Sequence, residues 1–160
     1  MSSNYKRLIT LAEEVFAVKS DPEQLDVDEN VIKRLHKIHP STVSEHVEGD
    51  GPVAWLLIIP TSERLMERFL NAEISEKQLF EMTVPGSNYE TIYLCSALVL
   101  QEYRRKGIIK KLAVKAINTI RKEHPVKALF AWPFTEEGRL AAENLSSLTG
   151  LPLFNRTDRH

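Results

Sequence analysis

Residues 101–112, QEYRRKGIIKKL, concentrate positive charge around a single glycine, although the net charge of the whole chain is only −1. The cations are Arg104, Arg105, Lys106, Lys110 and Lys111. Such a run usually marks a solvated helix start, but cations at a helix N-terminus are unfavourable unless an anion is bound there. The unpaired N–H groups of a first helical turn bind anions, and Gly107 allows a ligand to approach the backbone closely. The pattern therefore predicts a pyrophosphate site.

Two strands and two helices must position this site. The segment 91–100, TIYLCSALVL, is almost entirely apolar, which is typical of a central strand covered on both faces. From Gly107 the apolar residues follow a helical period, on a face made of Ile109, Leu112, Ala113, Ala116, Ile117 and Ile120. The segment 126–132 predicts a second buried strand. Thr135 then predicts the N-cap of a helix that ends at Gly150, with an inner face made of Leu140, Ala141, Leu145 and Leu148.

The sequence ALVLQEYRRKGIIKKL resembles the cofactor-binding motif of the GNAT-type N-acetyltransferases, which reads Gln or Arg, two residues, Gly, one residue, then Gly or Ala. The resemblance covers roughly residues 90–155. It implies that backbone amides bind the pyrophosphate of acetyl-CoA, and that the main chain of Leu98 and Val99 pairs with the pantetheine arm. By matching position, the pyrophosphate-binding residues would be Arg104, Arg105, Lys106, Gly107, Ile108 and Ile109.

Two positions depart from the family pattern. Ile109 stands where the motif has its second small residue, and its place on the apolar helix face favours a core position. Ser146 stands where many family members have a tyrosine that protonates the departing thiolate, and serine is a poor acid. Either water or another group would then protonate the thiolate, or the chain would not transfer acyl groups.

Candidates for the remaining chemistry lie at the start of the central strand. An ammonium substrate must lose a proton before it attacks, so a base is needed. Glu90 is the candidate base, directly or through water, and Tyr93 a candidate polar group of the site; the same residues also suit a surface acid and a core aromatic. Strand alternation predicts that Tyr93 shares one face with Cys95, Ala97 and Val99. We expect Cys95 to be a small core residue and a poor nucleophile.

The whole chain, residues 1–160, predicts one α/β domain with the element order α-α-β-β-(α-α)-β-α-β-α-β. This order and the resemblance predict a GNAT-like acyl-CoA N-acyltransferase fold, with a mixed, mostly antiparallel central sheet and helices on both faces. Residues 41–47 predict the first strand of a hairpin, and Asp21 with Gln24 predicts a helix N-cap. A two-helix insertion at about 62–82 is hypothesised to cover the acceptor pocket.

Composition and spacing argue against several classes of protein. A pI near 6.5 disfavours general nucleic-acid binding, and the longest uncharged stretch, residues 51–62, is much shorter than a membrane span. The first residues show no export signal and the single cysteine, Cys95, permits no internal disulfide, so we expect a cytoplasmic protein. His36 and His39 have an H-x-x-H spacing without an evident third ligand, which favours a solvated helix end over a metal site.

These observations and the resemblance together predict an N-acetyltransferase that moves an acetyl group from acetyl-CoA to an amine by direct attack, without a covalent enzyme intermediate. The acceptor would be a small-molecule or peptide amine, and a homodimer is compatible with the resemblance, because dimers are frequent in that family. Two alternatives stay open. One is a non-catalytic acyl-CoA-binding or regulatory module on the same fold. The other, less favoured, is a nucleotide- or nucleic-acid-binding module that uses the cations of residues 104–111.

Overall fold

The computed structural model describes residues 3–19 and 29–158. In these ranges six α-helices and five β-strands follow the predicted order. Their bounds are α1 Ser3–Lys19, α2 Glu29–Ile38, β1 Val43–Glu48, β2 Gly51–Thr61, α3 Glu63–Leu70, α4 Glu76–Met82, β3 Thr91–Val99, α5 Ile108–Glu123, β4 Ala128–Ala131, α6 Glu136–Thr149 and β5 Leu153–Asn155. None of the helices in the described ranges is long and apolar enough to cross a membrane.

The five strands form one mixed sheet in the order β1-β2-β3-β4-β5. The pairings β1–β2 and β2–β3 are antiparallel, and the pairings β3–β4 and β4–β5 are parallel. Parallel neighbours require a crossover, which α5 and α6 supply. Because the two antiparallel ladders contain more paired residues than the two parallel ones, the prediction of a mixed, mostly antiparallel sheet is confirmed.

Helices cover both faces of the sheet, as predicted. On one face α2, α3 and α4 pack against the sheet through buried residues that include Leu35, Phe69, Leu79, Tyr93 and Phe130. The opposite face is covered by α5 and α6, whose buried residues include Ala113, Ala116, Ile117, Ile120, Ala142 and Leu145. A third, smaller cluster joins α1 to the sheet through Leu8, Val53 and Leu100.

One prediction about the helical segments stays a prediction, and another is wrong. The insertion at about 62–82 forms α3 and α4, whose apolar residues are buried in the main core and which line neither of the two clefts described below; that it covers an acceptor pocket stays a prediction. In α6 the buried residues are Ala142 and Leu145, whereas the expected inner residues Leu140 and Leu148 are about half exposed. The apolar residues of α6 do not follow the helical period closely enough to predict which face is buried.

The helix caps observed in α4 and α6 agree with the predictions. Ser75 and Gln78 form the predicted capping box of α4, Thr135 accepts a hydrogen bond at the start of α6, and Gly150 ends that helix in the left-handed region. The capping box predicted at Asp21 and Gln24 lies outside the described residues.

The entry to β1 differs from the prediction. A 3₁₀ turn occupies Pro40–Thr42, so the strand begins at Val43 rather than at residue 41. His39 caps this turn by accepting a hydrogen bond from the Ser41 N–H, and its side chain is only 3% exposed. The expectation of a solvated helix end is therefore wrong for His39, although His36 is exposed.

Candidate functional site

A β-bulge interrupts β3 at Cys95. Leu57 pairs with Ser96, but the next residue of β2, Ile58, pairs with Leu94, so Cys95 is an extra residue in β3. Because the extra residue reverses the alternation, Ser96 lies on the face of Tyr93 and Ala97 lies on the opposite face. The predicted single face through Tyr93, Ala97 and Val99 is therefore wrong.

Beyond the bulge, β3 has an open edge. Its parallel pairing with β4 ends at Leu94, so residues 95–99 have no strand on that side. The Leu100 N–H donates to the Val53 carbonyl, and antiparallel strands alternate, so the backbone groups of Leu98 point toward β2 while those of Ala97 and Val99 point to the open edge. Of the two residues expected to bind a pantetheine arm, Val99 thus has the suitable orientation.

The open edge forms one wall of a cleft, which we call the β3–β4 cleft. It has a volume of about 240 Å³. Residues 94–98 of β3 lie on one side, and the segment 131–135 with the first turns of α6 lies on the other. Ile109, in the first turn of α5, also lines the cleft. Its side chain packs in part against the core, so it turns away from the loop before α5.

The loop that leads into α5 has the backbone geometry of an anion site. Arg105 and Gly107 both have positive φ angles, 64° and 75°, and alternating backbone conformations of this kind turn successive N–H groups toward one point. The N–H groups of residues 108–110, in the first turn, have no intrahelical partners, and no side chain at Gly107 caps them. A Cβ built at Gly107 would meet no atom within 4 Å, so the space in front of it is open. The Arg104 N–H is not available, since it donates to the Gln101 carbonyl.

The electrostatic surroundings favour an anion as well. Arg104, Arg105, Lys106, Lys110 and Lys111 are exposed, and none of them forms a salt bridge with a described residue. The acidic neighbour Glu102 is neutralised by Arg7 of α1, whose guanidinium lies 2.6 Å from its carboxylate. This hydrogen bond lowers the pKa of Glu102 to about 2. The pair therefore holds α1 against the loop without reducing its positive potential.

A second cleft lies on the other side of β3. It is larger, about 550 Å³, and we call it the α1–α2 cleft because residues of those helices form its outer wall. It and the β3–β4 cleft are lined in common by Leu56, Ser96 and Leu98. Two cavities thus approach the same short part of β3, next to the bulge.

The structure does not bring Glu90 and Tyr93 to this junction. Tyr93 is 1% exposed and donates a 2.7 Å hydrogen bond to Glu76, and burial raises the pKa of its hydroxyl well above the usual value. Glu90 precedes β3 at its far end and accepts a hydrogen bond from the N–H of Glu63 at the start of α3. Neither side chain lines either cleft. Both contacts are those of groups that hold α3 and α4 to the sheet.

Two further side chains were singled out by the sequence. The Ser146 hydroxyl donates to the Leu151 carbonyl at 2.6 Å and lines neither cleft, so it holds the end of α6. Cys95 packs against the core, as expected, but it is only half-buried and also lines the β3–β4 cleft.

Within the described ranges, His39, Glu123 and His124 bring potential metal-ligand atoms within 4.8 Å of one another. Each imidazole, however, already uses its Nδ1 lone pair: His39 accepts from the Ser41 N–H and His124 accepts from the Tyr89 N–H. In a neutral ring the proton then sits on Nε2, which leaves no lone pair for a metal. The cluster ties α2 and the end of α5 together instead, with His39 Nε2 lying 3.2 Å from Glu123.

Comparison with known proteins bears on the fold. No family model matches this chain, and no curated protein matches it. Among solved structures, it is similar to a chain of the NatB acetyltransferase complex bound to a bisubstrate inhibitor, with a TM-score of 0.50 and 14% sequence identity. The chain has a GNAT-like acetyltransferase fold. The match covers 79% of this chain and 61% of the other, so this chain spans less than two thirds of that relative.

In this GNAT-like fold the predicted donor-binding residues come together, because β3 ends where the loop before α5 begins. The open edge and Ile109 line the same cleft, and the loop joins them along the chain. Sequence reasoning missed Ser96 and the α1–α2 cleft. No local pattern marks them, since the bulge falls in an almost entirely apolar strand and the cleft is assembled from five separate elements.

Proposed function

We propose that this chain is an acyltransferase that moves an acetyl group from acetyl-CoA to an amine. The observation that carries the proposal is the break in the sheet, where β3 loses its parallel partner after Leu94 and its open edge runs toward the anion site at Gly107. A donor with a pyrophosphate at one end and an extended, amide-containing arm suits this combination. The similarity of the fold to an acetyltransferase complex supports the same class of reaction.

The donor would be held by backbone groups and by charge. The amides of residues 105–109 face the pyrophosphate, and the exposed cations around them raise the local potential. The backbone of Ala97 and Val99 binds the pantetheine arm as an added strand, in the manner of peptides that pair with a sheet edge. The Arg104 side chain now donates to the Val99 carbonyl at 3.1 Å, and it would have to move when the arm binds.

Transfer would take place at the junction of the two clefts. The donor approaches through the β3–β4 cleft and the amine through the α1–α2 cleft, so the two meet beside Leu56, Ser96 and Leu98. Holding both reactants at one place supplies much of the rate enhancement of a bimolecular reaction. Ser96 is the polar residue common to both walls, and we assign to its hydroxyl the role of orienting the attacking nitrogen.

The chemistry balances without a covalent enzyme intermediate. The ammonium group first loses one proton to water, since the amine attacks only in its neutral form. Its nitrogen forms a bond to the thioester carbonyl carbon, the carbon–sulfur bond breaks, and a second proton passes from the nitrogen to the sulfur. The products are an amide and the free thiol of CoA. We assign no protein acid to the last step, because Ser146 is committed to the Leu151 carbonyl and Tyr93 to Glu76.

Two measurements test the proposal. Thermal unfolding should shift upward with CoA and acetyl-CoA and much less with ATP, which lacks the pantetheine arm. Acetyl-CoA mixed with a panel of amines should then release free thiol at a rate that depends on the enzyme and on the amine. A shift of equal size with ATP would argue for a nucleotide-binding module instead.

A second candidate, a non-catalytic acyl-CoA-binding module, is favoured by one observation. The side chains predicted to act as acid or base, Ser146, Tyr93 and Glu90, all hydrogen-bond within the fold and line neither cleft. This candidate predicts the same thermal shift with acetyl-CoA, but no thiol release above the uncatalysed rate with any amine.

A further inference from the structure

The α1–α2 cleft has the chemistry of a binding site for a particular kind of amine. Most of its surface is apolar and is provided by the aliphatic side chains Ile9, Ala12, Ile32, Val43, Leu56, Leu57 and Leu98. Its volume of about 550 Å³ lies in the range of small-molecule sites. A ligand that fills it must therefore present an apolar body.

Two aromatic rings stand in the same wall. Tyr5 and Trp55 contact each other edge to face, with 5.8 Å between ring centroids. The indole N–H of Trp55 is directed toward Glu45, at 3.3 Å from its carboxylate, so the indole does not require a hydrogen-bond acceptor from a ligand. Aromatic faces of this kind suit hydrocarbon and also attract cations.

The charge of the cleft is entirely negative. Glu13 of α1 and Glu29 of α2 line it, and the other residues that line it carry no charge. Both side chains are exposed, and neither forms a salt bridge or hydrogen bond with a residue that the structure describes. Arg7, which lies on the same helix as Glu13, is already paired with Glu102. Two carboxylates beside an apolar cavity attract a cation whose body is hydrophobic.

From these features we infer that the preferred acceptor is an amine with an apolar body and a second positive charge. The inference rests on the proposed function. The neutral amine group attacks the thioester near Ser96, the hydrocarbon fills the cleft against Trp55, and the second, protonated group remains beside Glu13 and Glu29. The bonds formed and broken are those of the proposed acetyl transfer, so one amine of the acceptor becomes an amide and the other is unchanged.

The test compares α,ω-diaminoalkanes from butane to decane with 1-aminoalkanes of the same length. Binding is measured by calorimetry in the presence of CoA, and transfer is measured as thiol release from acetyl-CoA. At the best chain length the diamine should be preferred roughly tenfold in affinity and in kcat/KM, because each of two exposed ion pairs contributes a few-fold. The preference should decrease with added salt.

Matched variants test whether the preference for the diamine depends on the two carboxylates of the cleft. In the double variant Glu13→Gln and Glu29→Gln the diamine should lose its advantage in kcat/KM, while the kcat/KM of the monoamine, whose single nitrogen lies at the thioester when it reacts, should not fall. Glu14→Gln is the control, because Glu14 is an exposed carboxylate on the same helix that does not line the cleft. It should leave the preference unchanged.

The outcomes separate this inference from the proposed function. Equal use of both amines by the wild-type chain, or a preference that survives in the double variant, overturns the inference while the acetyl transfer stands. A diamine preference in binding that the double variant abolishes, without thiol release, supports the cleft assignment and overturns the enzymatic function. If no amine binds and none is acetylated, both are overturned.

Discussion

Gly107 offers a direct test of the donor site through a matched pair of substitutions. Its φ of 75° lies in the left-handed region, and a Cβ there would meet open space rather than protein. A longer side chain can therefore be added without a clash inside the fold, and it would extend into the space assigned to the pyrophosphate. Gly107→Glu and Gly107→Gln differ in charge but hardly in shape, so the comparison isolates the electrostatic contribution.

The two variants should be equally destabilised and unequally able to bind CoA. A side chain in the left-handed region costs about 1–2 kcal/mol in either variant, which lowers the Tm by roughly 2–8 °C for a chain of this size. A carboxylate about 5 Å from two phosphate charges adds a repulsion of about 1.5 kcal/mol even at the dielectric constant of water. Gly107→Glu should therefore bind CoA at least about tenfold more weakly than Gly107→Gln.

The assay is calorimetric titration of CoA into wild type and both variants at low ionic strength, with circular dichroism as a check on folding. Added salt should reduce the difference between the variants, since the added charge is exposed to solvent. If Gly107→Glu folds and binds CoA as tightly as Gly107→Gln, no anionic part of the ligand lies at the start of α5, and the assignment of the site is wrong.

Three further perturbations examine other parts of the structure. Arg105→Asn should preserve the loop, because Asn tolerates a positive φ, but should weaken CoA binding severalfold and reduce its salt dependence, as measured by titration at two ionic strengths. Tyr93→Phe should lower the unfolding free energy in urea by about 1–3 kcal/mol, because it removes the hydrogen bond to Glu76, while thiol release by the folded fraction stays at the wild-type rate; a large loss of kcat at unchanged stability would instead restore a role in the site. The pKa of Glu102 is lowered, so its bond to Arg7 stabilises the fold above the ordinary pKa of 4.5 and this contribution disappears as the pH falls toward about 2. The difference in unfolding free energy between wild type and Glu102→Gln should accordingly shrink across that range, and a constant difference would contradict the pairing.

Local patterns predicted the elements of the proposed donor site because these elements are close in the sequence. The open strand, the loop and the start of α5 all lie between residues 91 and 110, so their order along the chain also determines their order in space. Gly107 carried a further signal, since a glycine before a helical period is compatible with the left-handed conformation that the structure shows.

The cleft proposed for the acceptor could not be predicted in this way. The α1–α2 cleft combines residues from Tyr5 to Leu98, and only the folded sheet brings them together. The bulge at Cys95 has no signal in a strand whose residues are almost all apolar on both faces. Without the bulge, simple alternation places Ala97 on the same face as Tyr93, whereas it lies on the opposite face. His39 was misjudged for a related reason, because its burial depends on a cap to Ser41 and on Glu123, which is distant in the sequence.

A β-sheet ordinarily leaves backbone groups unsatisfied only along its two outer strands. The divergence of β3 and β4 creates a third such stretch in the interior of the sheet, where any extended polypeptide could add itself. The Arg104 side chain satisfies part of this stretch, because its Nε–H donates a hydrogen bond to the Val99 carbonyl. Any strand that pairs here, whether from a second chain or from the arm of the proposed donor, must therefore first displace the Arg104 side chain from this carbonyl.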